Sequence, residues 1–204
     1  MSDEAVACAQ EIEAAAGLRL RGLMAYASHA NREPDIATRA AVAAEVKERI
    51  EATRMRLARR GVTISVVSGG STGMWNVDQG LTELQLGSYV LMDGSYTLAI
   101  ESPFAPAVFC AATLISRRPD RAVVNAGWKA ISGESGLPLV PAGLTPLAFS
   151  DEHLTCCVDE GAGLELGDQV LLLPAHLDPT MNLHSRVFVI EERAVVDEWP
   201  IDIR

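Results

Sequence analysis

This sequence of 204 residues lacks balancing positive charge. Seventeen lysines and arginines stand against 27 aspartates and glutamates, a formal net charge of -10. Such a field opposes a nonspecific hold on nucleic acid or on an anionic membrane, since both depend on neutralising phosphates. No apolar run approaches the ~20 residues needed to cross a bilayer. The stretch from Met1 to Ala16 carries acids and lacks the basic start and apolar centre of a secretory leader. The expected address is therefore the cytoplasm, with neither membrane nor nucleic acid as partner. Of the four cysteines, Cys8, Cys110, Cys156 and Cys157, none sits in Cys-x-x-Cys spacing. A bridge between the adjacent pair would close a strained ring, so reduced thiols are expected.

What is present suffices for a core, since 49% of the residues are hydrophobic. Asp3 to Ala16 shows apolar residues at helical spacing, with Gly17 placed as a stop. Leu18 to Ala27 reads as a short buried strand. A second helix is expected from Pro34 to Arg60, ended by Gly61, with its charges forming a solvated face. Thr63 to Val67 is β-branched and reads as a strand, Ser68 to Gly73 as a glycine-rich turn, and Glu83 to Met92 as an extended stretch broken at Gly87. Beyond about Ser102 the long helical periodicity stops. Short β-rich segments take over at Ala107 to Ser116, Arg121 to Asn125, Gln169 to Leu173, Arg186 to Glu191 and Ala194 to Trp199.

The fold class this implies is α/β plus β: part of a (β/α) barrel over residues 1–101, then a mostly β domain over residues 102–204. A closed barrel needs about eight strands, and far fewer precede the change. Either the barrel is incomplete or another chain completes it.

Three places could carry chemistry. In Val67-Ser68-Gly69-Gly70-Ser71-Thr72-Gly73, backbone N–H groups and two hydroxyls could converge on a phosphate, although such glycines taken alone are more often a plain tight turn. Met74 stands where a nucleotide P-loop would have lysine. Leu86-Gly87-Ser88-Tyr89 is a second turn that could admit a ligand, or a β-bulge. The third place is Pro174-Ala175-His176-Leu177-Asp178-Pro179-Thr180. Read as extended, it points His176 and Asp178 to one side, where imidazole and carboxylate could share a divalent ion. A loop histidine beside a capping aspartate fits the same spacing. Asp151-Glu152-His153 reads as a solvated turn, and His29 and His184 as lone histidines.

The order of these landmarks resembles the fold-type III pyridoxal-phosphate family of D-threonine aldolase and D-serine dehydratase, which has an alanine-racemase-like barrel. Gly22 to His29 resembles the family's barrel strand ending in Tyr-x-Gly-His, Gly70-Ser71-Thr72 its phosphate turn, and Thr82 to Tyr89 its last barrel strand. Asn125 to Ser132 resembles an Asp-Ala-Gly-x-Lys-x-x-Ser run, Asp151-Glu152-His153 a Glu-Glu-His run, and Pro174 to Asn182 the metal segment. Ser28 and Asn125 depart from a family glycine and a family aspartate.

The resemblance covers the C-terminal portion of the family and implies its chemistry. Tyr26 would lie beside the pyridoxal ring. Gly70, Ser71 and Thr72, with Gly87, Ser88 and Tyr89, would hold the phosphate. His176 and Asp178 would hold a divalent metal. Aspartate in place of the cysteine found in zinc-dependent dehydratases favours Mn²⁺ or Mg²⁺ over Zn²⁺ and the aldolase branch. The implied substrate is a small D-3-hydroxy amino acid, and the implied assembly a homodimer or a pairing with a separate N-terminal half. In the family the Schiff-base lysine lies on the first barrel strand, outside this sequence. Only Lys47 and Lys129 occur here, and neither matches it. The resemblance thus implies a PLP- and metal-dependent lyase with no catalytic lysine of its own, inactive alone. The alternatives are a D-serine dehydratase-like ammonia-lyase, or a non-catalytic metal-binding or dimerisation module.

Overall fold

The computed structural model describes residues 3–202. It divides into two compact units, Met1–Tyr89 with Ala99–Glu101, and Val90–Leu98 with Ser102–Arg204.

In the first unit, α1 (Asp3–Ala14) buries Val6 and Ala9. It leads to β1 (Gly22–Ala25), shorter than the expected Leu18 to Ala27 because only these four residues enter the ladder. The long helix α2 (Ile36–Ala58) begins at Asp35, whose carboxylate accepts from the N–H groups of Ala37 and Thr38 and so satisfies donors that a helix start leaves open. Parallel strands need a crossover of a dozen or more residues, which α2 provides between β1 and β2 (Val66–Gly69). A third parallel strand, β3 (Glu83–Leu84), pairs with β2, giving the order β1-β2-β3. Ile50, Leu57, Ile64 and Val67 close the core beneath them.

The sequence expectation needs correction at three points here. The second strand lies at Val66–Gly69 rather than Thr63 to Val67, because Ser68 and Gly69 pair with Met24 and Ala25. The extended stretch expected from Glu83 to Met92 is strand only at Glu83–Leu84, after which Ser88–Val90 forms a 3-10 turn. Downstream, Asp93 accepts the N–H of Tyr96 at 3.0 Å and starts α3 (Gly94–Ala99), a local cap stronger than the apolar alternation. Finally, the charges of α2 do not all face solvent, since Arg39 is only 2% exposed.

The second unit holds an antiparallel sheet of β4 (Cys110–Arg117), β5 (Arg121–Val124), β6 (Leu144–Phe149), β7 (Leu154–Val158) and β8 (Gln169–Leu172), in the order β6-β7-β5-β4-β8. Alternate residues bury one face, with Leu114, Val124, Leu154, Cys156 and Leu172 fully enclosed. The sequence reading missed β6 and β7. Pro146 disguises β6, and an edge strand tolerates it because the register shifts between Pro146 and Ala148. The short helix α4 (Leu177–Met181) precedes an antiparallel hairpin of β9 (Arg186–Glu191) and β10 (Ala194–Pro200), whose second strand is exposed throughout. The architecture is α/β plus β, a partial (β/α) barrel followed by a mostly β domain. No helix among the described residues is long and apolar enough to cross a membrane.

Candidate functional site

The glycine turn of the first unit starts where β2 ends. Gly70 takes φ +75°, and a Cβ there would lie 2.6 Å from the Asp78 carboxylate, so conformation and space both demand glycine. The Asp78 carboxyl is pushed above the ordinary carboxylate range by burial, partly offset by the Ser71 N–H that donates to it. A Cβ on Gly73 would fall 1.7 Å from the carbonyl oxygen of Asn31, so the turn rests directly on that backbone.

The hydroxyls expected to meet a phosphate are engaged within the chain. Ser71 is 1% exposed and donates to Asn31 Oδ1 at 2.6 Å. Thr72 Oγ1 accepts the N–H of Tyr89 at 3.1 Å, a single hydrogen bond that brings the two sequence-predicted turns together. As an acceptor there, Thr72 keeps its own hydroxyl proton for donation. Gly87 differs from the glycines above: apart from its own and the two adjacent residues, no atom among the described residues lies within 4 Å of where its Cβ would sit. Nothing inside the protein requires glycine at that position, whereas a ligand approaching the backbone would.

Tyr26 is half-exposed, and its hydroxyl accepts from Asn31 Nδ2 at 3.0 Å. Asn31 therefore joins Tyr26, Ser71 and Gly73. Arg39 supports the same turn from below, donating to the carbonyl of Gly73 at 2.6 Å and to Asn76 Oδ1 at 3.2 Å. Neither Asn31 nor Arg39 was legible in the sequence. Asn31 lies just beyond the Gly22 to His29 run and belongs to no motif itself, and Arg39 has the helical position of its solvated neighbours.

The second unit carries the other candidate group, and here the local geometry corrects the sequence reading. The segment is not extended throughout: His176 is the extended N-cap of α4, and Asp178 lies in the first helical turn. The two side chains still meet, with His176 Nε2 3.7 Å from Asp178 Oδ2. The other ring nitrogen, Nδ1, bonds the carboxylate of Glu134. Imidazole nitrogen and carboxylate oxygen are donor types suited to a divalent ion. No group of three or more His, Cys, Asp or Glu that could hold an ion occurs among the described residues. His176 and Asp178 thus bring two donor side chains together.

Thr180 stabilises this corner. It is 3% exposed, donates to the carbonyl of His176 at 2.9 Å and accepts the N–H of Ser132 at 3.2 Å. Just upstream, Gly94 N–H donates to the carbonyl of Pro174 and Ser95 to that of Ala175. His184, read from sequence as a lone histidine, bonds the carbonyl of Ala130 through Nε2 at 2.8 Å. The Asp151-Glu152-His153 run forms the turn between β6 and β7, where Glu152 pairs with Lys129 at 2.5 Å. That ion pair raises the Lys129 pKa, chiefly through the hydrogen bond that Lys129 donates to Glu152, so the amine is held protonated. Lys47, exposed on α2, reaches Gln79 Oε1 at 3.4 Å.

Residues 107–190 match the family described as putative serine dehydratase domain. The whole chain is similar to a D-threonine aldolase of Arthrobacter sp, 36% identical over 221 residues, spanning 100% of this chain and 57% of the relative. The chain is similar to the D-threonine aldolase and D-serine dehydratase-like family. It fits a C-terminal portion of that family's members. A 3-hydroxy-D-aspartate aldolase of Paracoccus denitrificans (strain Pd 1222) is 31% identical over 217 residues, covering 98% of this chain and 55% of the relative. The crystal structure of D-threonine aldolase from Filomicrobium marinum superposes with a TM-score of 0.88 at 32% identity, over 98% of this chain and 57% of that one. The chain thus spans about half the length of these family members.

Proposed function

We propose that this chain supplies the phosphate cradle and the divalent-metal site of a pyridoxal-phosphate-dependent D-3-hydroxy-amino-acid lyase of the D-threonine aldolase kind. The observation that carries the reading is the convergence of His176 Nε2 and Asp178 Oδ2, 3.7 Å apart, in a chain 36% identical to a D-threonine aldolase. Within it, Gly70, Thr72, Gly87 and Ser88 would bind a phosphate through backbone N–H groups and the Thr72 hydroxyl, while Tyr89, whose N–H donates to Thr72 Oγ1, would brace the cradle. Ser71, committed to Asn31, would shape the turn instead of touching the ligand. Tyr26, its hydroxyl fixed by Asn31, would lie beside the ring.

Pyridoxal phosphate, when bound, supplies the electron sink for bond cleavage at the amino acid's α-carbon. His176 and Asp178 would hold Mn²⁺ or Mg²⁺, an oxygen-seeking ion suited to stabilising negative charge on a substrate hydroxyl oxygen. The protonated, ion-paired Lys129 and the exposed Lys47 are poor nucleophiles, which supports a requirement for a lysine from elsewhere. Turnover would then need the remaining part of the barrel, in the same polypeptide or another. A dehydrating reaction on the same substrate class is the second reading, favoured by the serine dehydratase domain match that encloses His176 and Asp178.

The test is direct. Purified chain titrated with Mn²⁺ should bind one ion, read by loss of the free-ion EPR signal, and should bind pyridoxal phosphate reversibly, its mass unchanged after borohydride treatment. Added to the N-terminal segment of a relative, it should release glycine from D-threonine. Covalent labelling of Lys47 or Lys129 by the cofactor, or failure to bind Mn²⁺, would reject the proposal.

A further inference from the structure

The metal reading leaves a question about His176: which of its two nitrogens is presented to the ion, and what fixes that choice. Glu134 answers it. An ionised carboxylate only accepts hydrogen bonds, so the Nδ1 that faces Glu134 must carry the proton. In a neutral imidazole the lone pair then lies on Nε2, the nitrogen 3.7 Å from Asp178 Oδ2.

Glu134 is itself held in place. It lies in the loop that follows β5, where a Cβ on Gly133 would sit 2.5 Å from the Trp128 ring, so the loop packs tightly on that indole. Trp128 in turn packs against Phe149, their rings 5.2 Å apart. The Ser135 hydroxyl donates to the same Glu134 oxygen at 2.6 Å. Thr180 ties the loop to the histidine segment, accepting from Ser132 N–H and donating to His176 carbonyl oxygen. Loop and ligand segment are therefore joined by one buried hydroxyl, and the carboxylate and imidazole by another bond.

We infer that Glu134 is a positioning residue that locks His176 in its Nδ1–H form and aims Nε2 at the ion shared with Asp178. The inference rests on the metal site proposed above and adds a residue to it. A carboxylate on the far nitrogen of a metal-bound histidine fixes the ring and raises its basicity, and losing such a partner weakens metal binding 10–100-fold as an order of magnitude, about 10-fold at the low end. Glu134 is not a direct ligand in this arrangement, because it occupies the opposite edge of the ring.

The experiment measures Mn²⁺ affinity by EPR on the full chain, and the His176 tautomer by ¹⁵N imidazole NMR without metal, for wild type, Glu134→Ala and Glu134→Gln. Circular dichroism confirms that each variant folds. Wild type should show a single Nδ1–H tautomer. Glu134→Ala should bind Mn²⁺ about 10-fold more weakly or worse and lose the single-tautomer signature. Glu134→Gln, which can still accept from Nδ1–H, should keep the tautomer and most of the affinity. Unchanged affinity and tautomer in Glu134→Ala would overturn the inference. So would a Glu134→Gln variant that keeps the tautomer yet loses as much affinity as Glu134→Ala, the mark of a direct ligand. Failure of wild type to bind Mn²⁺ defeats the metal site itself, a separate result.

Discussion

Two glycines of the same unit, Gly73 and Gly87, should respond to one added methyl group in opposite ways. At Gly73 the new Cβ would lie 1.7 Å from the carbonyl oxygen of Asn31 and 2.5 Å from its carbonyl carbon. An ordinary carbon-to-oxygen contact is ~3.3 Å, so backbone must move by about 1.5 Å. It has little freedom to do so. Asn31 is tied through its side chain to Tyr26 and Ser71, and Gly73 through its carbonyl to Arg39. Overpacking ordinarily costs ~1–3 kcal/mol, and with backbone rather than a flexible side chain in the way, Gly73→Ala should cost about 3 kcal/mol or more. Gly87→Ala meets nothing within 4 Å, so its stability should stay within about 0.5 kcal/mol of wild type.

Guanidinium unfolding followed by Trp75 fluorescence reads this unit alone once Trp128 and Trp199, both in the other unit, are replaced by phenylalanine. If the proposed cradle is right, the same Gly87→Ala protein should bind pyridoxal phosphate about 10-fold more weakly, the added methyl standing where the ligand would approach the backbone, an effect of about 1.4 kcal/mol. Equal unfolding midpoints for Gly73→Ala and wild type would refute the packing argument. A Gly87→Ala protein as unstable as Gly73→Ala would refute the claim that only a ligand uses that space.

Two further outcomes are expected. Burial, with a smaller contribution from Cys157, pushes the Cys156 thiol up to about 11, so in the folded chain it should resist a thiol reagent at pH 8 while exposed Cys8 reacts. Mass mapping of the labelled peptides checks this, and rapid labelling of native Cys156 would contradict the burial. Burial likewise raises the Asp78 carboxyl above its unfolded value, so the folded state binds that proton more tightly and Asp78 destabilises most when ionised. Asp78→Asn should therefore stabilise the first unit at pH 7, with the advantage shrinking as pH falls through the raised pKa toward the ordinary carboxylate range. A benefit that grows on acidification would reverse the sign of the argument.

The sequence by itself determined what local chemistry dictates. Helical spacing with glycine stops at Gly17 and Gly61 placed α1 and α2, and short β-rich segments placed β4, β5, β8, β9 and β10, because such signals act within a few residues. It also determined that the glycine turns and the His-x-Asp pair were candidates, since residue types limit what a site can bind. Only the tertiary structure decided which of these groups meet. Ser71 turned inward to Asn31, a residue 40 positions away, and Glu134 reached His176 across 42. Pro146 entered an edge strand by a register shift that no local propensity encodes. Arg39 looked like any solvated charge on α2 until the carbonyl of Gly73 was placed above it. Such contacts depend on which distant backbone the fold brings alongside, and that is settled by packing rather than by neighbours in the chain.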